Sequence, residues 1–341
     1  MRRAMMILAL ATASPIAARD LPVPPDKSWQ HAETGLILRP QLAGLPRGAL
    51  TDATQSEHDV AAQFEAPDGS VSVTVYLFHP AVADVALWFD RSRTAIESRD
   101  LFRNAAPASA DPIAFAAPGA TAASSLRQVY ANAGKGYRST ALAVVPVGEW
   151  IVSIRMSAKA LTAEQLDAQL QQAIATIHWP RPAGSVAQAA TPIRACATPL
   201  VFAHAKPIKA AGGDMLMALL AGGIAAKAKA DPATPPEPQI VWCREGEARL
   251  EYGVYRANGA GYEMALYDAG RTVSVYPSLM GQIDKSGTYT VALTDVDGTV
   301  SSFPSFDGLP TPKQVWELVA SGKRTGVSKG NRVTIDAKAL R

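Results

Sequence analysis

The chain has little cysteine, few aromatic residues and little charge. Two cysteines in 341 residues, Cys196 and Cys243, leave room for one bridge at most. Aromatic residues make up 7% and are not interleaved with a basic patch, which argues against a single-strand nucleic-acid platform. Charged residues make up 18%, below the ~25% of an average soluble domain. The surface therefore has to rely on Ser, Thr, Gln, Ala and Pro. The five histidines (His31, His58, His79, His178 and His204) are scattered, and no H-E-x-x-H occurs. Neither a G-x-S-x-G elbow nor a G-x-x-x-x-G-K-[ST] loop is present. Gly259-Ala260-Gly261 lacks the third glycine of a dinucleotide loop. These absences assign no catalytic residue, no metal ligand and no cofactor.

What is present begins at the N-terminus. Met1-Arg2-Arg3 is followed by an apolar run, Ala4 to Ala11, and by small residues up to Ala18. This is the three-part pattern of a secretory signal peptide over residues 1–18. The alternative is a buried or disordered apolar N-terminus. Export would place the chain in the periplasm or outside the cell. It would also remove Arg2 and Arg3, bringing 33 basic and 30 acidic residues close to parity. The pI of 8.8 is then no sign of a nucleic-acid partner. In an oxidising compartment Cys196 and Cys243 are expected to pair. Closing a loop of that length would contribute about 4 kcal/mol. The alternative is two separate buried thiols.

Hydrophobic residues make up 48%, enough for two cores. Residues 28–180 read as one domain. Asp59 to Glu65 and Val71 to Phe78 flank Asp68-Gly69 as a hairpin. A helix of about twenty residues is expected from Pro80, with Val82, Val85, Phe89 and Ile96 on its apolar side and Arg91, Arg93 and Glu97 elsewhere. Residues 104–123, rich in Ala and Pro, show no period and read as a functional flap or a mobile excursion. Strands resume at Leu126. The stretch from Ala141 to Trp179 is the clearest signal: two alternating strands around Pro146-Val147-Gly148, then a helix. Thr162 and Gln165 form its capping box, and Leu166, Leu170, Ala173, Ile174 and Ile177 form its stripe.

Residues 181–193 form a linker of small and polar residues, and 194–341 a second, strand-rich domain. Asp297-Gly298 marks a hairpin there, and Thr311-Pro312 with Gln314 the start of a helix. The fold class expected is α+β: two domains, each an antiparallel sheet with a few packed helices. Residues 206–228 are apolar and small. A membrane span or partner contact is the bold reading, weakened by Lys209, Asp214 and four glycines. A buried or surface-lying helix, or a flexible flap, is the plainer one.

Local titratable groups give no site. Glu57-His58-Asp59 is the densest cluster, but neighbours along a strand point to opposite faces, so these residues are expected to be solvated and not to form one site. Asp295 and Asp297 resemble part of a calcium loop, yet Leu293 occupies the first ligand position. Cys196 with His204 would make a nucleophile pair only if the thiol were free.

In element order, residues 28–180 resemble the PsbP/Mog1-like α/β domains: early strands with a hairpin, a helix, more antiparallel strands, and a last helix ending in Ile177-His178-Trp179. The resemblance carries no specific motif and so transfers no functional residue. It implies an accessory or binding role. The function expected is that of an exported bacterial protein with a non-catalytic binding or accessory role and an unidentified protein or small-molecule partner. The alternatives are a hydrolase assembled around the 104–123 loop and a membrane or partner contact through 206–228.

Overall fold

The structure, a computed structural model, describes residues 18–102, 104–181, 188–202, 204–209, 240–257, 259–330 and 332–336. The expected signal peptide, apart from Ala18, lies outside the described residues. So do 182–187 of the linker and the 206–228 segment from residue 210 onward.

The first sheet is antiparallel. Its long strands are β1 (Leu45–Asp52), β2 (Asp59–Glu65), β3 (Val71–Phe78), β4 (Ser125–Gly134), β5 (Tyr137–Val147) and β6 (Trp150–Ala158). They lie in the order β1-β2-β3-β6-β5-β4. Arg19–Asp20 covers the β1 edge, and Ala106–Pro107 and Ile113–Phe115 cover the β4 edge. Period-2 alternation separates the two faces. Val71, Val73, Val75 and Leu77 face helix α2 (Ala163–Thr176), whose Leu166, Leu170, Ala173 and Ile174 close one core. Thr162 and Gln165 form the expected capping box of that helix. Phe78, Leu126, Tyr130, Leu142, Val144 and Ile151 line the other face, against Leu87, Trp88, Phe89 and Ile96 of helix α1 (Val85–Glu97). Each such fully buried large side chain stabilises the fold by about 2 kcal/mol.

The second sheet is a meander of β7 (Cys243–Arg244), β8 (Tyr252–Arg256), β9 (Tyr262–Leu266), β10 (Arg271–Pro277), β11 (Tyr289–Thr294), β12 (Val300–Ser302), β13 (Gly326–Lys329) and β14 (Arg332–Ile335). Two further helices are α3 (Leu279–Asp284) and α4 (Pro312–Ala320), the latter with its own capping box at Thr311 and Gln314. One face packs Val254, Met264, Val273, Val275 and Val291 beneath Val315 of α4. The other turns toward the first sheet: Tyr255 and Ala265 join the α1 core.

The α+β expectation is corrected. Strand accounts for 39% and helix for 16%, in two large sheets with four helices among the described residues. One strand lies where no element was expected, and a stretch read as irregular is in part strand. β1 escaped notice because Pro46 and Gly48 interrupt its alternation, and its register shifts between Arg47 and Leu50. The 104–123 segment pairs with β4 twice. Helix α1 is also shorter than expected. It starts after Asp84, whose carboxylate accepts from the Leu87 amide at 2.8 Å, and stops at Ser98.

Candidate functional site

The two sheets meet along a seam built largely on α1. Arg91 was assigned to the helix's polar side, yet it is fully buried. Its Nε donates to the Tyr267 carbonyl at 2.6 Å, and its two terminal nitrogens donate to the carbonyls of Arg249 and Leu250 at 2.9 and 2.8 Å. Beside it, Asp90 accepts from the Tyr255 hydroxyl and from Arg244, both at 2.8 Å, and from Arg93 at 3.2 Å. Burial pushes the Arg91 pKa down and the Tyr255 pKa up. The helical period marks these residues as polar, and polar positions read as solvent-facing.

Further along the seam, Arg155 of β6 stacks over Tyr76 and pairs with Asp268. Its pKa is lowered to about 10, chiefly by burial. The turn after Tyr267 approaches so closely that only glycine fits at 270. With φ +80°, an added Cβ would lie 2.7 Å from Val296 Cγ1 and 2.9 Å from Phe78 Cδ2. The Ala81 amide donates to the Gly270 carbonyl at 2.8 Å.

At this end of the first sheet, three of the five histidines converge on one tryptophan. Trp150 opens β6 after the tight turn at Gly148. His31 comes from the loop after Trp29, His58 from the residue before β2, and His79 from the residue after β3. Their ring centroids lie 4.5, 5.5 and 5.1 Å from that of Trp150. His31 is buried, and its Nδ1 lies 3.0 Å from the Thr34 hydroxyl. The Ser56 hydroxyl is 2.5 Å from His58 Nδ1, and Glu33 is 3.8 Å from His58 Nε2. Burial lowers the pKa of His31 against the opposing pull of Glu57 and Glu33. Burial and then the neighbouring His58 lower that of His79, opposed by Glu149, the Val296 carbonyl and Glu33.

The loop between β1 and β2 is held by Asp52. Its carboxylate accepts from Arg19 Nε at 2.9 Å, from the Thr54 amide and hydroxyl at 2.8 and 2.7 Å, and from the Glu57 amide at 3.1 Å. Burial opposes its ionisation, but these bonds outweigh it and the pKa is lowered. Glu57 takes a left-handed φ of +60°. His58 and Asp59 diverge as strand alternation requires. His58 goes to Trp150, whereas Asp59 goes to the seam, where burial raises it to about 6 despite Arg271. The cluster is partly buried and tied to the fold, where solvation was expected.

The other expected places are also settled. Cys196 and Cys243 are bridged, so Cys196 cannot pair with His204 as a nucleophile. Asp295 and Asp297 belong to a hairpin with a longer connection than the two residues expected: the Asp295 amide donates to the Thr299 carbonyl. Asp295 pairs with Arg271, and Asp297 with Lys329. Pro118 and Gly119 of the 104–123 segment border an open concavity of about 540 Å³ with Arg39 and residues 175–179. Among the described residues its ionisable lining is Arg39 and His178, with no carboxylate or serine. Among the described residues no three His, Cys, Asp or Glu side chains are placed to hold a metal, and no helix is long and apolar enough to cross a membrane.

No family model, curated protein or solved structure matches the chain. The geometry alone must carry the functional reading.

Proposed function

We propose that the chain is an exported bacterial protein, periplasmic or secreted, with a non-catalytic binding or accessory role. The Cys196–Cys243 bridge supports an oxidising compartment. The carrying observation is the use made of the buried charges. Asp52, Asp90 and Arg91 are engaged in hydrogen bonds that fix loops and join the two sheets. The concavity beside 104–123 offers no acid and base facing each other. This fits a stiff platform better than a reaction vessel. The likeness of residues 28–180 to PsbP/Mog1-like domains belongs to the same reading, and the helix on each face of the first sheet supports it. Affinity capture from an oxidising extract, with the bridge intact, should recover a protein or small-molecule partner. Capture of nothing, together with turnover of a substrate by the purified chain, would sink the proposal.

A second reading is favoured by one observation, the Ser56–His58–Glu33 constellation. In it His58 accepts the Ser56 hydroxyl proton as the oxygen attacks an ester carbonyl, Glu33 supports the imidazolium, and the alcohol leaves with that proton, giving an acyl-Ser56 that water hydrolyses. The site is separate from the 104–123 loop. A fluorophosphonate probe should then label Ser56 and fail to label Ser56→Ala. Absence of any adduct at Ser56 removes this reading.

A further inference from the structure

Three separate parts of the chain wall the concavity beside the 104–123 segment, and each is set by a local device. The first is the end of α2. There Ile177 turns extended, and His178 pairs with Ile37 through two backbone hydrogen bonds of 3.0 and 3.2 Å. The second is Arg39, two residues after Ile37. Strand alternation carries its side chain to the side shared by Ile37 and His178. The third is a tight turn, Ala117-Pro118-Gly119-Ala120, closed by the Ala120 amide on the Ala117 carbonyl at 2.9 Å. Proline followed by glycine at φ +85° is the type II pattern, so this wall is preset. Ala117 and Trp179 anchor the turn and the helix end on the same core.

Ionisable groups in this concavity are of one kind. Arg39 and His178 are exposed, their side chains have no partner among the described residues, and no carboxylate joins them in the lining. The last turn of α2 does not use them. Its Gln172, Ala173 and Ile174 carbonyls accept from the Thr176 hydroxyl, the Ile177 amide and the Trp179 indole N–H at 2.8, 3.3 and 2.8 Å. The rest of the lining is mostly apolar: Pro118, Ala175, Ile177 and Trp179. Its volume of about 540 Å³ suits a small molecule. We propose that the concavity binds a small organic anion, a carboxylate or phosphate ester carried on a flat apolar body. Arg39 and His178 take the anion, whose oxygens match the guanidinium fork, and Trp179 with Pro118 takes the body. The inference rests on the binding role proposed above and gives it a place and a ligand class.

Titration of the full, bridged chain with benzoate and with phenyl phosphate tests this, followed by the NMR signals of the Trp179 indole and the Gly119 amide. At least one probe should saturate with a Kd of about 1 mM, the scale of ligands of about ten heavy atoms, and the tighter of the two identifies the anion. Benzamide and inorganic phosphate each lack one half of the ligand and should bind about tenfold more weakly or worse. Arg39→Gln should weaken the better probe about tenfold with no change in melting temperature, and Arg39→Lys should restore only part of the loss. His178→Gln should weaken it about threefold. Lys313→Gln, which removes an exposed cation of α4, should change nothing. Benzamide or inorganic phosphate binding as tightly as the probes would overturn the proposal. So would unaltered binding by Arg39→Gln, or a variant that loses stability alone, which would make Arg39 a partner of the negative end of α2. Silence of both probes, with a partner captured equally by the wild type and Arg39→Gln, removes the concavity and leaves the binding role standing.

Discussion

Arg91 and Glu263 are both charged side chains on the faces where α1 meets the second sheet, and the fold treats them oppositely. Arg91 directs three donors at three carbonyls of the second sheet's loops. Glu263 of β9 sits beside Tyr255 and Ser274 with one buried carboxyl oxygen lacking a partner. Burial raises its pKa to about 7, and the hydroxyls of Ser274 and Thr272 only partly offset this. One charge is therefore solvated by backbone and joins the two sheets. The other pays for its burial by holding its proton. Whether a buried charge holds the molecule together depends on how many of its bonds are met, not on depth.

The largest expected effect follows from Arg91. Arg91→Ala leaves three seam carbonyls without their donor, and Asp90 loses a neighbouring positive charge. A loss of about 3–5 kcal/mol is expected. The two sheets should then melt separately, visible as two calorimetric transitions where the wild type shows one. A single unshifted transition would remove Arg91 from its role at the seam. Arg91→Lys should recover little of the loss, because one ammonium cannot reach three carbonyls in the plane of a guanidinium.

Reduction of the Cys196–Cys243 bridge comes next. The two cysteines are 47 residues apart, and loop-closure entropy sets the loss at about 4 kcal/mol as an upper value. Because the bridge ties the start of the second sheet to β7, the lower-melting part of the molecule should be that sheet. Reductant should shift its transition and leave α2 protection unchanged. Gly270→Ala should cost about 2 kcal/mol, from a left-handed φ and two close contacts together. Its effect should fall at the seam. Weakened protection of the Ala81 amide, by exchange, would locate it there, and unaltered protection would refute the close approach.

This contrast explains what could be read in advance. The hairpin around Asp68-Gly69, the two strands before α2 and the capping boxes at Thr162 and Thr311 are local devices, and their residue types suffice to specify them. β1 was missed because a bulge breaks the period on which strand reading depends. Arg91, Asp90 and the three histidines were missed for another reason. Their partners lie far off in the chain: Arg91 and Tyr267 are 176 residues apart. A charged residue on a helix reads as solvent-facing unless the surface covering it is known. The Trp150 cluster gave a single signal, that three of five histidines stand next to strand ends or turns. That property alone does not bring them together.

The smallest expected effect, and the one of opposite sign, belongs to Glu263. Its folded pKa is raised above the unfolded value of about 4.3, so the folded state holds the extra proton. Stability contributed by the protonated form is complete below that unfolded value and is lost as pH rises toward and through about 7. Glu263→Gln keeps the shape and removes the ionisation. It should leave stability at pH 4 unchanged within ~0.5 kcal/mol and raise it at pH 8 by about 1–2 kcal/mol, less than the full shift implies because the amide must also find partners. Urea unfolding at both pH values measures this directly. If the variant is less stable than the wild type at pH 8, the carboxylate is ionised and well bonded, and the contrast with Arg91 collapses. If it is more stable, the fold carries a strained charge on the face that meets α1, where Arg91 shows that a satisfied one was available.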